Sequence, residues 1–151
     1  MTVEIAISRA GPHDPPSMAA IHASCFAKPW DQAAMSQLVA SPETLCLIGS
    51  VVDSSGGTPG GLLIARKAAD EAEILTFCVA PACRNVGLGR ALLGQAVTDL
   101  RAAGAKRLFL EVDEGNEAAL KLYRRLGAVP VGKRARYYES GANAAIFSLA
   151  L

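Results

Sequence analysis

Gly87 and Gly89, flanked by Arg84 and Arg90, stand where an apolar strand gives way to a helical periodicity, and such a junction can hold a phosphate. The first backbone N–H groups of a helix lack intrahelical partners, and the helix dipole adds positive potential at the same spot. Glycines remove the side chains that would hold an anion away from those donors, and the two arginines add charge around them. The species expected there is a pyrophosphate. Two common nucleotide loops are excluded. A P-loop ends in Gly-Lys-Ser/Thr, whereas Gly89 is followed by Arg90-Ala91; a dinucleotide fingerprint needs a third glycine where Leu92 stands. Downstream, Glu111 interrupts an apolar strand, where partial burial would raise its carboxyl pKa toward that of a general base. The plainer reading is a glutamate at a strand end that reaches solvent. Tyr123 follows Asn116 at N-x(6)-Y spacing and is either a proton-moving phenol or a core aromatic with its hydroxyl at the surface.

The elements that must position these residues follow from pattern. Residues 4–9 alternate as a strand that stops at Gly11-Pro12. Asp14 is expected to cap a helix with two prolines in its first turn, burying Met18, Ile21, His22 and Cys25 on one face. On that face His22 reads as a partly buried packing residue. Pro29-Trp30-Asp31 breaks the chain and caps a second helix over 32–39. Residues 45–52 form an apolar strand, 53–60 a turn cluster, and 62–65 the returning strand. A strand over 73–79 ends at Pro81. A helix runs from Gly87 to Gly104, with Leu88, Ala91, Leu92, Gln95, Ala96 and Leu100 recurring at helical spacing. Then come a strand over 107–112, a helix from Asn116 to Gly127, and extended segments at 129–131, 135–138 and 144–149. The strand–helix–strand unit from 73 to 112 implies a parallel pair with a ligand at the loop after its first strand.

Composition narrows the field. The chain has 151 residues, 51% of them apolar and 19% charged, which suits one domain with a real core. No apolar run approaches the roughly 18 residues of a membrane helix, and no secretory signal is expected at the N-terminus. A net charge of +1 gives no drive toward nucleic acid or membrane. Lys133-Arg134-Ala135-Arg136 reads as a solvated strand, and no nucleic acid binding is expected. The four cysteines, Cys25, Cys46, Cys78 and Cys83, form no C-x-x-C pair, and with two histidines no metal site is expected. They fit small buried hydrophobes in a reducing cytoplasm.

The loop Arg84-Asn85-Val86-Gly87-Leu88-Gly89 closely resembles the R/Q-x-x-G-x-G/A loop of the GNAT acetyltransferases. The likeness continues in order through 75–81, Leu108-Phe109-Leu110-Glu111-Val112, Asn116 to Tyr123, and Arg124-Arg125-Leu126-Gly127, and covers most of the chain. It implies an α/β (α+β) fold: a mixed central sheet of about seven strands, helices on both faces and a splayed parallel strand pair. It also implies acetyl-CoA as co-substrate and transfer of its acetyl group to a primary amine. Within the family, Phe26-Ala27-Lys28-Pro29-Trp30, the Leu-Glu-Val strand and Arg136-Tyr137-Tyr138 are similar to the bacterial ribosomal-protein-alanine N-acetyltransferases. By that resemblance Glu111 is the proton acceptor and Tyr123 the proton donor. Phe77, Cys78, Val79, Asn85, Val86, Gly87, Leu88, Gly89, Arg90 and Asn116 bind acetyl-CoA, with the Val79 N–H on the oxyanion.

Acyl transfer from a thioester to an amine needs a base, donors for the oxyanion and, where helpful, an acid for the thiolate. A phenol near pKa ~10 giving a proton to a thiolate near ~8.5 goes uphill by about 2 kcal/mol, so Tyr123 needs tuning by its site or coupling to product release. Asn85, Ala128 and Asp113-Glu114 depart from the family pattern; the last two bear on the acceptor pocket. A peptide α-amine near pKa ~8 is easier to deprotonate than a lysine near ~10.4, which favours the N-terminus of a ribosomal protein as acceptor. A small amine or antibiotic is the alternative substrate, and a non-catalytic acyl-CoA-binding regulator the alternative class.

Overall fold

The computed structural model describes residues 3–134 and 143–151. One mixed sheet carries the fold, in the strand order β1-β2-β3-β4-β5-β7-β6. Its strands are β1 (Glu4–Arg9), β2 (Thr44–Asp53), β3 (Gly56–Ala68), β4 (Glu71–Val79), β5 (Arg107–Asp113), β6 (Val129–Arg134) and β7 (Ala144–Ala150). The helices are α1 (Pro15–Cys25), α2 (Gln32–Ala40), α3 (Leu88–Ala102) and α4 (Glu117–Arg125). The expected seven-stranded sheet with a parallel pair is present. The extended segment expected at 135–138, with Arg136, Tyr137 and Tyr138, lies outside the described residues.

Strand alternation sorts the apolar residues onto two faces. Leu45, Leu47 and Leu63 join α3 and α4 in one core, while Cys46, Ile48, Leu62 and Ile64 join Met18 and Ile21 of α1 and Met35 of α2 in the other. On α3 the buried stripe is Leu88, Leu92, Leu93, Ala96 and Leu100. Gln95, assigned to that stripe from spacing, is exposed and donates to Asp99 Oδ1 at 2.9 Å. Leu93 takes the core position instead, and burying such a leucine contributes about 1.5–3 kcal/mol.

Two local expectations are corrected. The stretch 53–60 is not a turn cluster: the hairpin reverses at Ser54-Ser55, where Asp53 Oδ1 accepts from the Ser55 N–H at 2.8 Å, and β3 begins at Gly56. Gly56, at φ +114 with open space around it, serves the reversal, whereas Gly60 and Gly61 serve close contact. A Cβ on Gly61 would lie 2.7 Å from Leu92 Cδ1, one on Gly49 2.6 Å from Leu88 Cδ1, and one on Gly60 would collide with Cys83 Sγ. They form a bare bed on which the start of α3 rests. Asp14 stands at the N-cap of α1, but its Oδ2 accepts from the Gly11 N–H at 2.7 Å and not from the helix. With prolines at the first two helical positions, few N–H groups there remain to be capped.

Candidate active site

The parallel ladder between β4 and β5 lasts only from Glu71↔Arg107 to Glu73↔Phe109. Just beyond it the β3–β4 register shifts: Ala65 pairs with Ile74 and Ile64 with Thr76, leaving Leu75 as the extra residue. A bulge bends a strand and increases its twist, so β4 turns away from β5 at this point. The gap opens into a cleft of about 1350 Å³. Ala80 donates to the Gly60 carbonyl of β3 at 2.7 Å. Backbone N–H groups alternate along a strand, so the Val79 N–H is turned toward the gap.

The loop from β4 to α3 has the geometry of an anion cradle. Asn85 has φ +66 and Gly87 φ +87, both left-handed. That conformation is cheap for Asn and Gly and costs other residues about 1–2 kcal/mol, which accounts for the unusual Asn85. Arg84 Nε donates to the Val79 carbonyl at 2.9 Å, binding the loop to the strand end. The start of α3 carries neither a side-chain cap nor an acid in its first turn. By contrast Asp31 Oδ1 caps α2 through the Ala34 N–H at 2.9 Å, and Asn116 Oδ1 caps α4 through the Ala119 N–H at 3.1 Å. The first α3 N–H groups thus have no side-chain acceptor, and a Cβ on Gly89 would lie 3.5 Å from Val79 Cγ2 and 3.6 Å from Phe77 Cζ.

Of the residues singled out from sequence, Phe77, Cys78, Val79, Arg84, Asn85, Gly87, Leu88, Gly89, Glu111, Asn116 and Tyr123 line this cleft. Val86 and Arg90 do not. Glu111 is half-buried on β5, alternating with buried Leu110 and Val112. Tyr123 is buried, its ring 6.0 Å from that of Phe147, so the phenol is a core residue and a cleft residue at once. Asn116 spends Oδ1 on the cap, and its two Nδ2 hydrogens are what it can offer a ligand. Asp113 Oδ1 accepts from the Gly115 N–H at 2.7 Å, and Glu114 pairs with Lys133 at 2.9 Å. Asp113 therefore shapes the turn into α4 while lining the cleft, and Glu114 ties that turn to β6. Burial pushes the Cys78 thiol up, the adjacent Cys25 pushes it further, and Arg84 offsets part of this. It remains a thiol at neutral pH, a poor nucleophile.

Sequence reasoning missed the part played by His22. It is 3% exposed and holds two hydrogen bonds: Nδ1 accepts from the Trp30 N–H at 3.0 Å, and Nε2 lies 3.0 Å from Thr76 Oγ1. The available signal was a threonine inside an apolar strand, Leu75-Thr76-Phe77. Burial holds the imidazole pKa below its usual 6.5. The unfolded chain then binds this proton more readily, so the contribution to stability is complete above about pH 6.5 and is lost as pH falls through the folded value. The other ionisable groups lining the cleft from α1, the segment after it and β4 are Cys25, Lys28, Glu73 and Cys78. Urea midpoints are expected to fall between pH 7.5 and 5.5, and His22→Gln is expected to flatten that decline. An unchanged decline in the variant would assign it elsewhere. Asp53 and Glu114, both held below the ordinary carboxylate range by hydrogen bonds, lose their contributions only at lower pH.

A gap between parallel strands, with strand-edge amides on one side and an uncapped helix start at its mouth, accepts an extended arm that carries its own amides and ends in a pyrophosphate. An acyl-CoA is a molecule of that form. The chain belongs to the Acetyltransferase (GNAT) family, whose profile matches residues 16–128. The N-alpha-acetyltransferase RimI of Mycobacterium tuberculosis is 40% identical over 121 residues, covering 77% of this chain and 72% of that protein. An uncharacterized Mycobacterium leprae protein is 38% identical over 118 residues, 77% of this chain but only 32% of that longer protein. The crystal structure of the ribosomal-protein-S18-alanine N-acetyltransferase from Escherichia coli superimposes with a TM-score of 0.85 at 28% identity, over 97% of this chain and 94% of that one.

Proposed function

We propose that this enzyme moves the acetyl group of acetyl-CoA directly to the N-terminal α-amine of a ribosomal protein that begins with alanine, a reaction of the cytoplasm. The observation carrying the chemistry is that Glu111 and Tyr123 line the same cleft as the uncapped start of α3. Glu111, directly or through a water, takes a proton from the acceptor ammonium. The freed amine attacks the thioester carbonyl, and the Val79 N–H donates to the oxygen as it gains charge. The C–S bond then breaks and Tyr123 protonates the departing thiolate; the second proton that the nitrogen sheds on becoming an amide restores the phenol, and Glu111 passes the first to solvent. A Cys78 thiol held protonated argues for this direct route over an acyl-cysteine. Support for an α-amine acceptor comes from its low pKa relative to lysine and from the names of the two characterised relatives.

An alanine-initiated peptide with internal lysines is expected to be acetylated once, at its N-terminus, and a blocked terminus to abolish the reaction. Mass spectrometry of the products decides it. Efficient acetylation of lysine in the blocked peptide, or turnover of small amines only, would overturn the acceptor and leave the family chemistry standing.

A further inference from the structure

The cleft wall has one stretch that belongs neither to β4, β5 and α4 nor to the phosphate loop. It is the end of α1 and the segment after it, contributing His22, Cys25, Phe26, Ala27, Lys28 and Trp30. On the reading above, β4, the loop and α4 hold the co-substrate, which leaves this stretch to face the acceptor. Phe26 and Trp30 are large and apolar yet 42% and 36% exposed. Something must hold them in place, and His22 is positioned to do so. Its ring lies against both, 4.4 Å from Phe26 at 32° and 4.9 Å from Trp30 at 21°.

The hydrogen bonds specify how. Because Nδ1 accepts the Trp30 N–H, Nε2 carries the ring proton and donates it to Thr76 Oγ1. Thr76 is buried, and it is the residue directly after the bulge that opens the cleft. One neutral imidazole thereby ties the segment after α1 to the strand that lines the thioester channel. We propose that His22 is a positioning residue for the acceptor: it fixes the 26–30 segment as the acceptor wall and sets affinity for the amine substrate without touching the co-substrate. This inference rests on the acetyl-transfer reading, and part of its test does not.

Asparagine and glutamine separate the two bonds. In His22→Asn the side-chain oxygen falls near the Nδ1 position and can still accept from Trp30; in His22→Gln the amide reaches toward Thr76 and leaves the Trp30 N–H unmatched. Loss of one buried hydrogen bond corresponds to roughly a tenfold change. His22→Gln is therefore expected to raise KM for the acceptor about tenfold, with KM for acetyl-CoA unchanged, and His22→Asn, which loses only the bond to Thr76, to raise it about threefold. A residue that merely fills space would give the opposite order, because asparagine leaves the larger void. The chain has a single tryptophan, so selectively excited tryptophan fluorescence reports Trp30 alone and needs no substrate. Its emission is expected to shift in His22→Gln and hold in His22→Asn. Equal effects of the two variants, a parallel rise in KM for acetyl-CoA, or unshifted emission in His22→Gln would each overturn the proposal. Should His22→Gln fail to fold, Thr76→Val, which removes the anchor on β4, is expected to raise acceptor KM several-fold, and an unchanged value would count against it equally. Failure of the acetyl-transfer reading alone would abolish turnover in the parent yet leave the fluorescence difference.

Discussion

Replacing Glu111 with glutamine is expected to lower the acetylation rate at neutral pH by roughly 10²–10⁴, the range that a positioned general base contributes. Glutamine keeps the shape of the side chain and its place on β5 but cannot take a proton. Since the pyrophosphate would be held by the 84–89 loop and not by β5, affinity for acetyl-CoA should stay within about twofold. Single-turnover rates with a saturating acceptor, beside a titration of acetyl-CoA, separate the two effects. Raising the pH should recover part of the lost rate, because a larger fraction of the amine is then already deprotonated in solution. A rate within a few-fold of the parent would mean that another group, or bulk water, removes the proton.

Gly87→Val is expected to weaken acetyl-CoA binding by roughly a hundredfold, the loss of about two hydrogen bonds to a charged group. Two causes act together. The added side chain occupies space beside the α3 donors, and the residue must hold φ +87, which a β-branched side chain resists. The second cause also costs stability, about 1–2 kcal/mol, so circular dichroism and a melting curve belong with the calorimetric titration. Gly87→Asn is the companion variant, since asparagine tolerates the left-handed conformation while still adding bulk. Binding lost in both variants assigns the effect to space, and binding kept in Gly87→Asn assigns it to strain. Parent affinity in a folded Gly87→Val protein would remove the phosphate from this loop.

The loop from β4 into α3 was legible in the sequence because its determinants are local. Two glycines, an arginine and the change from strand to helical period lie within a few residues of one another. The order of strands and helices was legible for the same reason, through alternation and turn residues. What could not be read depends on partners far along the chain. The bulge at Leu75 exists only in the register between β3 and β4, and no spacing within 71–79 announces it. His22 finds Thr76 54 positions away, so the histidine looked like one more residue of an apolar face. Gly60 and Gly61 imitated a turn because a close helix and a tight reversal both call for absent side chains. Asn85 looked like a departure until its backbone angle supplied the reason.

Those same glycines carry a consequence for how the enzyme's affinity is set. Leu88 and Leu92 rest on Gly49 and Gly61, within the first turns of α3, while the donors proposed for the phosphate occupy the tip of that helix. Any side chain added to the bed would lift the helix as a shim lifts a beam, and the tip would travel with it. Hydrogen bonds to phosphate weaken steeply over a few tenths of an ångström. On the proposed site, the grip on acetyl-CoA would be calibrated partly from the far side of the helix, by strand positions outside the cleft. Natural variation there would tune the working concentration of the enzyme while every residue in its cleft stayed the same.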